Sequence, residues 1–117
     1  MLHNNLLIRT KRFSLAVLEL VDKMPNSISG RILANQLGRS GTSVGANYRA
    51  VCRGKSKADF INKLGLVEEE VDESAFWLEL ILARNMVDIK LAEPLLQEAQ
   101  ELTAVMAASR ITARNGQ

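Results

Sequence analysis

The stretch RAVCRGKSKADF, residues 49–60, is typical of the end of one helix, a tight turn and the start of the next helix. Gly54 stands where a glycine commonly caps the C-terminus of a helix. Ser56 is suited to cap the N-terminus of the next helix, and Asp59 three residues later completes a box-like cap. The stretch therefore predicts two helices joined by a short, charged turn.

The same stretch contains Gly-Lys-Ser at 54–56, the tripeptide that ends the phosphate-binding loop of many nucleotide hydrolases. That loop also needs a glycine five residues before its Gly-Lys pair, and it follows a buried strand. Arg49 occupies the glycine position, and residues 44–51 contain no β-branched run. The sequence therefore favours an interhelical turn with a charged rim over a nucleotide-binding loop.

On both sides of this turn, apolar residues recur at steps of three and four, the spacing of one helical face. The pattern predicts helices over residues 5–24, 29–53, 57–84 and 89–109. Short connections between four helices predict an all-α fold, an antiparallel up-and-down four-helix bundle, in a single domain. The predicted core-facing residues are Leu6, Leu7, Thr10, Phe13, Val17, Leu20, Val21, Met24, Ile32, Leu33, Leu37, Val44, Tyr48, Val51, Phe60, Leu64, Val67, Val71, Ser74, Leu78, Ile81, Leu91, Leu95, Leu96, Ala99, Leu102 and Met106.

The fourth helix has clear signals at its start and an unfavourable residue inside it. Asn85 suits a left-handed end of the third helix, and Asp88 suits an N-cap. Pro94 is unfavourable in a helix that begins directly after Asp88, so either the first turn is loose or the regular helix begins near residue 93. We expect the C-terminal tail, RITARNGQ, to fray.

The middle of the second predicted helix, SGTSVGAN at 40–47, is poor in helix formers. Gly41 and Gly45 each cost roughly 1 kcal/mol relative to alanine inside a helix. Because they are four residues apart, they share one face, and we expect a neighbouring helix to pack closely there. The alternative is a break into two shorter helices.

The chain of 117 residues is 47% apolar and 24% charged, as in soluble globular proteins. No apolar run reaches the ~18 residues of a membrane span. The first residues lack the apolar stretch and cleavage site of a signal peptide. We therefore expect a cytoplasmic protein without a membrane partner.

Cys52 and His3 are the single cysteine and the single histidine. They exclude an internal disulfide and supply too few ligands for a zinc site within one chain. Because His3 lies at a terminus that we expect to fray, Cys–His and Ser–His catalysis are disfavoured. We expect Cys52 to be a small buried residue, and nothing in the sequence indicates a metal or other cofactor.

Charge is divided unevenly between the two halves of the chain. Residues 1–57 hold ten Lys/Arg and two acids, net +8, whereas residues 58–117 hold five Lys/Arg and eleven acids, net −6. Such a division indicates either a polyanionic partner or association between opposite surfaces of two copies.

The third predicted helix is acidic in its first half, EEEVDE at 68–73, and apolar almost all round in FWLELILA at 76–83. A helix without a polar face is covered on both sides, and in so small a domain we expect a second subunit to provide one cover. Phe76, Trp77 and Leu80 are the predicted oligomer-interface residues, with a core position as the alternative for Trp77.

Residues 37–64 carry a pattern that resembles a known family. The pattern is Leu-Arg-Arg-small-x-Ser-(Val/Ile)-x-Ala-Asn, then a basic turn of the type Arg-Ser-Lys-x-(Asp/Glu)-Phe, then a helix rich in Leu and Glu. It is similar to the four-helix bundle proteins encoded in intervening sequences of bacterial large-subunit ribosomal RNA genes, often catalogued as ribosomal-protein-like. Many members continue Ala-Asn-Ile-Ala-Glu-Gly, whereas Tyr48-Arg49-Ala50 follows Asn47 here, so the acid is replaced. The matching residues are Leu37, Arg39, Ser43, Val44, Ala46, Asn47, Ser56, Lys57, Asp59 and Phe60.

The resemblance implies a homo-oligomer, typically a pentameric ring or barrel of bundles. It also extends to the accessory protein of diversity-generating retroelements, which works with a reverse transcriptase and RNA. The partners that it implies are therefore further copies of the chain, RNA or DNA, and a nucleic-acid enzyme such as a reverse transcriptase.

The leading hypothesis is a non-enzymatic oligomer that binds nucleic acid, RNA first, through Lys and Arg side chains that neutralise phosphates. The alternative for each of these cations is an ion pair with the acids of 68–73, in the same chain or a neighbour. Few aromatic residues other than Tyr48 lie nearby, which disfavours sequence-specific reading. The candidate nucleic-acid-binding residues are Arg39, Arg49, Arg53, Lys55 and Lys57.

Two other functions fit parts of the sequence. A structural or scaffolding oligomer with a protein partner would join the basic and acidic halves of neighbouring copies head to tail. Glu69, Glu70 and Glu73 form Glu-Glu-x-x-Glu, which looks like the magnesium motif of all-helical nucleotide pyrophosphatases. That motif needs a later Glu-x-x-Asp, and the nearest candidate, Glu98 to Glu101, ends in Glu. We therefore expect no enzymatic activity.

Overall fold

The computed structural model describes the backbone of residues 2–116 and the side chains of residues 5–116. Over these residues the chain forms four helices, α1 (Leu2–Val21), α2 (Ile28–Val51), α3 (Lys57–Ala83) and α4 (Ile89–Arg114), and no strand. Successive helices pack side by side, and a smaller contact between α1 and α4 closes the bundle, which measures 47 × 20 × 19 Å. The predicted all-α, up-and-down four-helix bundle is confirmed. No helix within the described part of the chain is long and apolar enough to cross a membrane.

The turn between α2 and α3 is held by hydrogen bonds around its two polar side chains. Ser56 Oγ accepts the backbone N–H of Asp59 at 3.1 Å, which caps α3. The Asp59 carboxylate in turn accepts the backbone N–H of Lys55 at 3.1 Å and Lys63 Nζ at 2.8 Å. These two hydrogen bonds hold the pKa of Asp59 below its usual value, and the bond from Lys63 has the larger effect. The box-like cap is confirmed, with Lys55 rather than Ser56 as the backbone donor.

The predicted C-cap role of Gly54 is wrong, because α2 ends without a left-handed residue. Cys52, directly after Val51, keeps right-handed helical angles of φ −66° and ψ −12°. The backbone N–H groups of Arg53 and Gly54 donate to carbonyl oxygens three residues earlier, each at 3.0 Å. These tighter bonds satisfy the last carbonyl groups of α2, so a glycine with positive φ is not needed there.

The start of α4 agrees with its sequence signals. Asn85 is left-handed, with φ 53°, and Asp88 Oδ1 accepts the backbone N–H of Lys90 at 3.0 Å. The helix contains Pro94, which cannot donate a backbone hydrogen bond. Its first turn is tightened by a bond from the N–H of Leu91 to the carbonyl of Asp88 at 2.9 Å. The helix therefore begins at Ile89 with a hydrogen-bonded first turn, so the expected loose turn and the start near residue 93 are both wrong.

Several helix ends lie away from their predicted positions. Helix α1 begins at Leu2 rather than near residue 5, and α2 ends at Val51 rather than near residue 53. Helix α1 ends at Val21, after which a turn is closed by a bond from the N–H of Met24 to the carbonyl of Val21 at 3.2 Å. Helix α4 continues to Arg114, beyond the predicted residue 109, so the expected fraying of the tail is wrong up to that point.

Apolar side chains from all four helices fill the bundle, mostly at the predicted positions. The prediction that Ile32 faces the core is wrong, because the buried positions of α2 run through Gly30, Leu33 and Leu37 and leave Ile32 55% exposed. The buried apolar residues are Leu6, Phe13, Val17, Leu20, Leu33, Leu37, Val44, Tyr48, Val51, Leu64, Val67, Val71, Ala75, Leu78, Ile81, Ala92, Leu95, Ala99, Leu102 and Met106.

Helices α1 and α2 approach each other closely at two glycines of α2, Gly41 and Gly45. A Cβ atom at Gly41 would lie 2.6 Å from both methyl carbons of Val17, and one at Gly45 would lie 2.8 Å from Ser14 Oγ. Ser14 Oγ donates to the carbonyl of Gly41 at 2.8 Å and accepts the N–H of Gly45 at 3.1 Å. Helix α2 is continuous here, so close packing is confirmed and a break into two helices is wrong.

Tyr48, the single tyrosine, gives a pH-dependent test of the packing. It is 1% exposed, and burial raises the pKa of its hydroxyl to about 12, with Cys52 adding to the shift. This value exceeds the ~10 of an unfolded chain, so stability that is complete below pH ~10 is lost as the pH rises towards 12. We expect the tyrosinate absorbance of the folded protein to titrate near pH 12. A midpoint near pH 10 with the helical circular dichroism intact would contradict this burial.

Candidate nucleic-acid interface

Positively charged side chains gather at the end of the bundle where α2 leads into α3. Arg49 lies in the last turn of α2, and Arg53, Lys55 and Lys57 follow through the turn to the first residue of α3. Helix α1 begins at the same end, and its Lys11 lines a cleft together with Arg49 and Arg53. We call these five residues the basic end. Four of them are predicted from the sequence; Lys11 is not, because nothing local indicates which turn of α1 faces Arg49.

The basic end is exposed and forms no ion pair with the described residues. All five of its residues are exposed. Among the described residues, none of their side chains has a carboxylate oxygen within 4 Å. Exposed cations without a carboxylate partner are available to phosphate oxygens.

Arg39, the fifth residue of the predicted set, lies elsewhere and has partners. Its guanidinium donates to the carboxylate of Glu73, and its Nη1 lies 3.4 Å from Glu70 Oε1. Trp77 Nε1 also donates to Glu73, at 3.1 Å, so α2 and α3 are joined by a small network. The alternative of an ion pair with the acids of 68–73 therefore describes Arg39.

Two further arginines are engaged with carboxylates on α3 and α4. Arg9 donates to Glu98 through Nε at 2.7 Å and through Nη2 at 2.8 Å, and to Glu101 at 2.9 Å. The hydrogen bond to Glu98 is the main cause that raises the pKa of Arg9. Arg110 donates to Glu68 at 3.0 Å. These pairs join α1 to α4 and α3 to α4, so each of the two arginines already has a carboxylate partner within the chain.

The carboxylates of the suggested magnesium motif and of its candidate partner bind two different arginines. Glu70 and Glu73 accept from Arg39, whereas Glu98 and Glu101 accept from Arg9. Within the part of the chain that the structure describes, no three His, Cys, Asp or Glu side chains are grouped to hold a metal ion. The side chain of His3 lies outside the described residues.

A cleft of about 260 Å³ runs between α1 and α2 beside the basic end. Among its lining residues, we call the small or apolar ones its floor and the two cations, Lys11 and Arg49, its edge. The lining residues are Leu7, Lys11, Ser14, Thr42, Gly45, Ala46 and Arg49. A second cleft adjoins it towards the end of the bundle, lined by Leu7, Ile8, Lys11, Arg49, Cys52 and Arg53. We call the first of these the α1–α2 cleft.

The prediction that Cys52 is buried is wrong. Its residue is exposed, and it lines the second cleft beside Arg49 and Arg53. The core-facing positions at this end of α2 are Tyr48 and Val51, so the next residue is turned out of the core.

The predicted oligomer-interface residues lie on α3, in the half of the bundle away from the basic end. Phe76 is 50% exposed, and its ring lies 5.2 Å from that of Trp77, centroid to centroid. Trp77 and Leu80 are half-buried and pack against the core. On α2, Ile32 is exposed about two turns before Ser40, whose Oγ lies 2.8 Å from Ser74 Oγ on α3. Exposed apolar side chains are therefore present on both helices in this half of the bundle.

Comparison with known proteins identifies the family to which this chain belongs. The chain is similar to a crystal structure at 1.70 Å resolution of a protein with unknown function from the S23 ribosomal protein family of Bacteroides thetaiotaomicron. The two are 28% identical, with a TM-score of 0.85 over 94% of this chain and 98% of that one. A comparison with curated proteins found no match. The model of the 23S rRNA-intervening sequence protein family matches residues 4–108. With nearly the whole bundle matched, the chain belongs to the family of 23S rRNA-intervening sequence proteins.

Proposed function

We propose that this protein is a non-enzymatic homo-oligomer, a pentamer by its family resemblance, that binds nucleic acid, RNA first, through the basic end. The observation that carries the proposal is the contrast between two sets of cations. Arg9, Arg39 and Arg110 are bound to carboxylates of the same chain, whereas the five residues of the basic end have no carboxylate within 4 Å among the described residues. Phosphates neutralise such a surface and release counterions as they bind.

The cations of this surface contact the phosphates of a nucleic acid and do not read its sequence. Tyr48, next to Arg49 in the sequence, is 1% exposed and therefore offers no face to a base, and the partly buried Phe60 packs against the core. Lys and Arg contacts to phosphates position a protein on nucleic acid but carry no sequence information directly. The expected binding is therefore salt-sensitive and tolerant of sequence.

Self-association is supported by the apolar area on α3. Phe76, Trp77 and Leu80 remain the proposed interface, and we add Ile32 because its side chain is 55% exposed. Repetition of the basic end around an oligomer joins several weak surfaces into one strong one, because each further contact is intramolecular once the first has formed. A nucleic-acid enzyme such as a reverse transcriptase is the protein partner that the family resemblance suggests.

A scaffolding oligomer without nucleic acid is the second candidate, favoured by exposed acids on α3. Glu69 and Asp72 are exposed and have no basic side chain within 4 Å among the described residues. They are suited to pair with the basic end of a neighbouring copy. In that arrangement the oligomer itself would neutralise the surface that we assign to phosphates.

Gel filtration with light scattering, in low and high salt, separates the two candidates. We expect a mass near 65 kDa, five times the 12.9 kDa of one chain. We also expect nucleic acid, detected by its absorbance at 260 nm, to co-elute with the protein in low salt and to dissociate in high salt. An oligomer that carries no nucleic acid and retains no added RNA would instead support the scaffold.

A pair of matched variants tests the interface in the same experiment. Phe76→Glu should reduce the mass to that of a monomer, because it places a charge in an apolar contact. Ile111→Glu on α4 changes a residue of similar exposure, 52% against 50%, and should leave the oligomer intact. Equal masses for the two variants would contradict the assignment of the interface to α3.

A further inference from the structure

The α1–α2 cleft combines an apolar floor with a cationic edge. Gly45 and Ala46 give it depth, because neither residue has a side chain long enough to fill the space between the helices. The polar groups of the floor are already satisfied within the protein. Ser14 Oγ is bonded to Gly41 and Gly45, and Thr42 Oγ1 donates to the carbonyl of Gly38 at 2.7 Å. The groups left to bind a ligand are therefore apolar surface below and the charged ends of Lys11 and Arg49 at the edge.

We infer that the α1–α2 cleft accepts one unpaired nucleotide of a bound strand, which makes single-stranded nucleic acid the preferred partner. This inference rests on the proposed function, because it assigns a ligand class to the same surface. The base lies on the apolar floor, while the phosphates on either side contact Lys11, Arg49 and Arg53. Arg49 is placed to hold a phosphate or to stack its guanidinium plane on the base.

The size of the cleft limits what enters it. At about 260 Å³ it is smaller than the ~300–1,000 Å³ of a typical drug-sized pocket, so it suits one base rather than a stacked run. Bases within a duplex are paired and stacked, and they present phosphates but no free ring face. A duplex therefore meets only the cations of this surface, whereas a single strand meets the cations and the floor.

Binding of a labelled oligouridylate and of an equally long RNA duplex tests the inference on the whole protein. We expect the single strand to bind more tightly than the duplex at the same salt concentration. Ala46→Leu fills the floor without altering charge, and it should weaken single-strand binding about fivefold, equivalent to about 1 kcal/mol, while duplex binding is unchanged. Ala104→Leu, an exposed site on α4 outside the cleft, is the matched control and should change neither affinity.

Cys52 supplies a second readout, because it is the single cysteine and its exposed residue lines the adjoining cleft. The oligouridylate should slow alkylation of Cys52 by N-ethylmaleimide more than the duplex does. Equal, salt-sensitive binding of both RNAs, with Ala46→Leu without effect, overturns the inference and leaves the proposed function standing. Absence of binding to either RNA overturns both.

Discussion

Replacing Gly41 with leucine is expected to lower the free energy of unfolding by about 3 kcal/mol, the upper range for overpacking of a core. Even the first atom of a side chain at Gly41 would lie 2.6 Å from two carbons of Val17. Val17 is completely buried and has no space into which to move. Helices α1 and α2 would have to move apart, and the walls of the α1–α2 cleft would move apart with them. At roughly 4 °C per kcal/mol for a domain of this size, the melting temperature should fall by about 12 °C.

Gly38 provides the matched control for this substitution. It lies one turn earlier on α2, and a Cβ atom there would have nothing within 4 Å. Gly38→Leu should leave stability unchanged or raise it by up to about 1 kcal/mol, because leucine is the better helix former. Urea unfolding of the two variants makes the comparison. Similar losses for both variants would contradict the contact with Val17 as the cause of the destabilisation, because helix propensity alone predicts a gain at both positions.

A double variant tests the same contact by shortening the side chain of Val17. Combining Gly41→Leu with Val17→Ala should restore part of the lost stability, because the new side chain then has space that the valine methyl groups occupied. Adjacent residues that share a space show such coupling, whereas independent sites are additive. Strictly additive losses would contradict the contact that the structure describes.

Reversing the charge of Arg49 and Arg53 together is expected to weaken binding of single-stranded RNA about 100-fold in low salt, a factor of about ten for each residue. Each substitution to glutamate removes a phosphate contact and adds a repulsion at the edge of the two clefts. Both residues are exposed and outside the described ion pairs, so stability should change by less than about 0.5 kcal/mol. Fluorescence anisotropy with a labelled RNA, over a range of salt concentrations, measures the effect.

Neutral variants refine the same measurement. Arg49→Gln with Arg53→Gln should reduce the slope of log affinity against log salt by about 1.4, since each single-strand phosphate contact contributes about 0.7. Arg39→Gln is the control, because Arg39 is bound to Glu70 and Glu73 and we expect its loss to leave the slope unchanged. If Arg39→Gln lowered the slope as much as the other pair, the assignment of the basic end would be wrong.

The sequence indicated the fold through contacts that are local along the chain. Residues three or four apart, such as Leu64, Val67 and Val71, share a helical face whatever lies opposite, and all three are buried. Caps are local too, which is why Ser56 and Asp88 have the predicted roles. Errors remained where one step of rotation matters: Ile32 and Cys52 were each assigned to the core and lie one residue from a position that is in it.

The candidate site was only partly accessible from the sequence. The charge of the turn is local, so Arg53, Lys55 and Lys57 stand out in the sequence alone. Whether a given cation has a partner depends on which turn of another helix faces it. Arg39 and Arg49 are alike in sequence, but α3 offers two carboxylates to the first and none to the second.

By itself, then, the sequence determined four helices, their order and the sign of the charge at their junction, because these depend on neighbours within one or two turns. Tertiary structure alone decided that Lys11 joins Arg49, that Arg39 is neutralised, and that a cleft lies above Gly45 and Ala46. The register between helices is the physical reason. This register is set by contacts between side chains on neighbouring helices, such as the packing of Val17 against Gly41. Such contacts form between residues that are far apart in the chain.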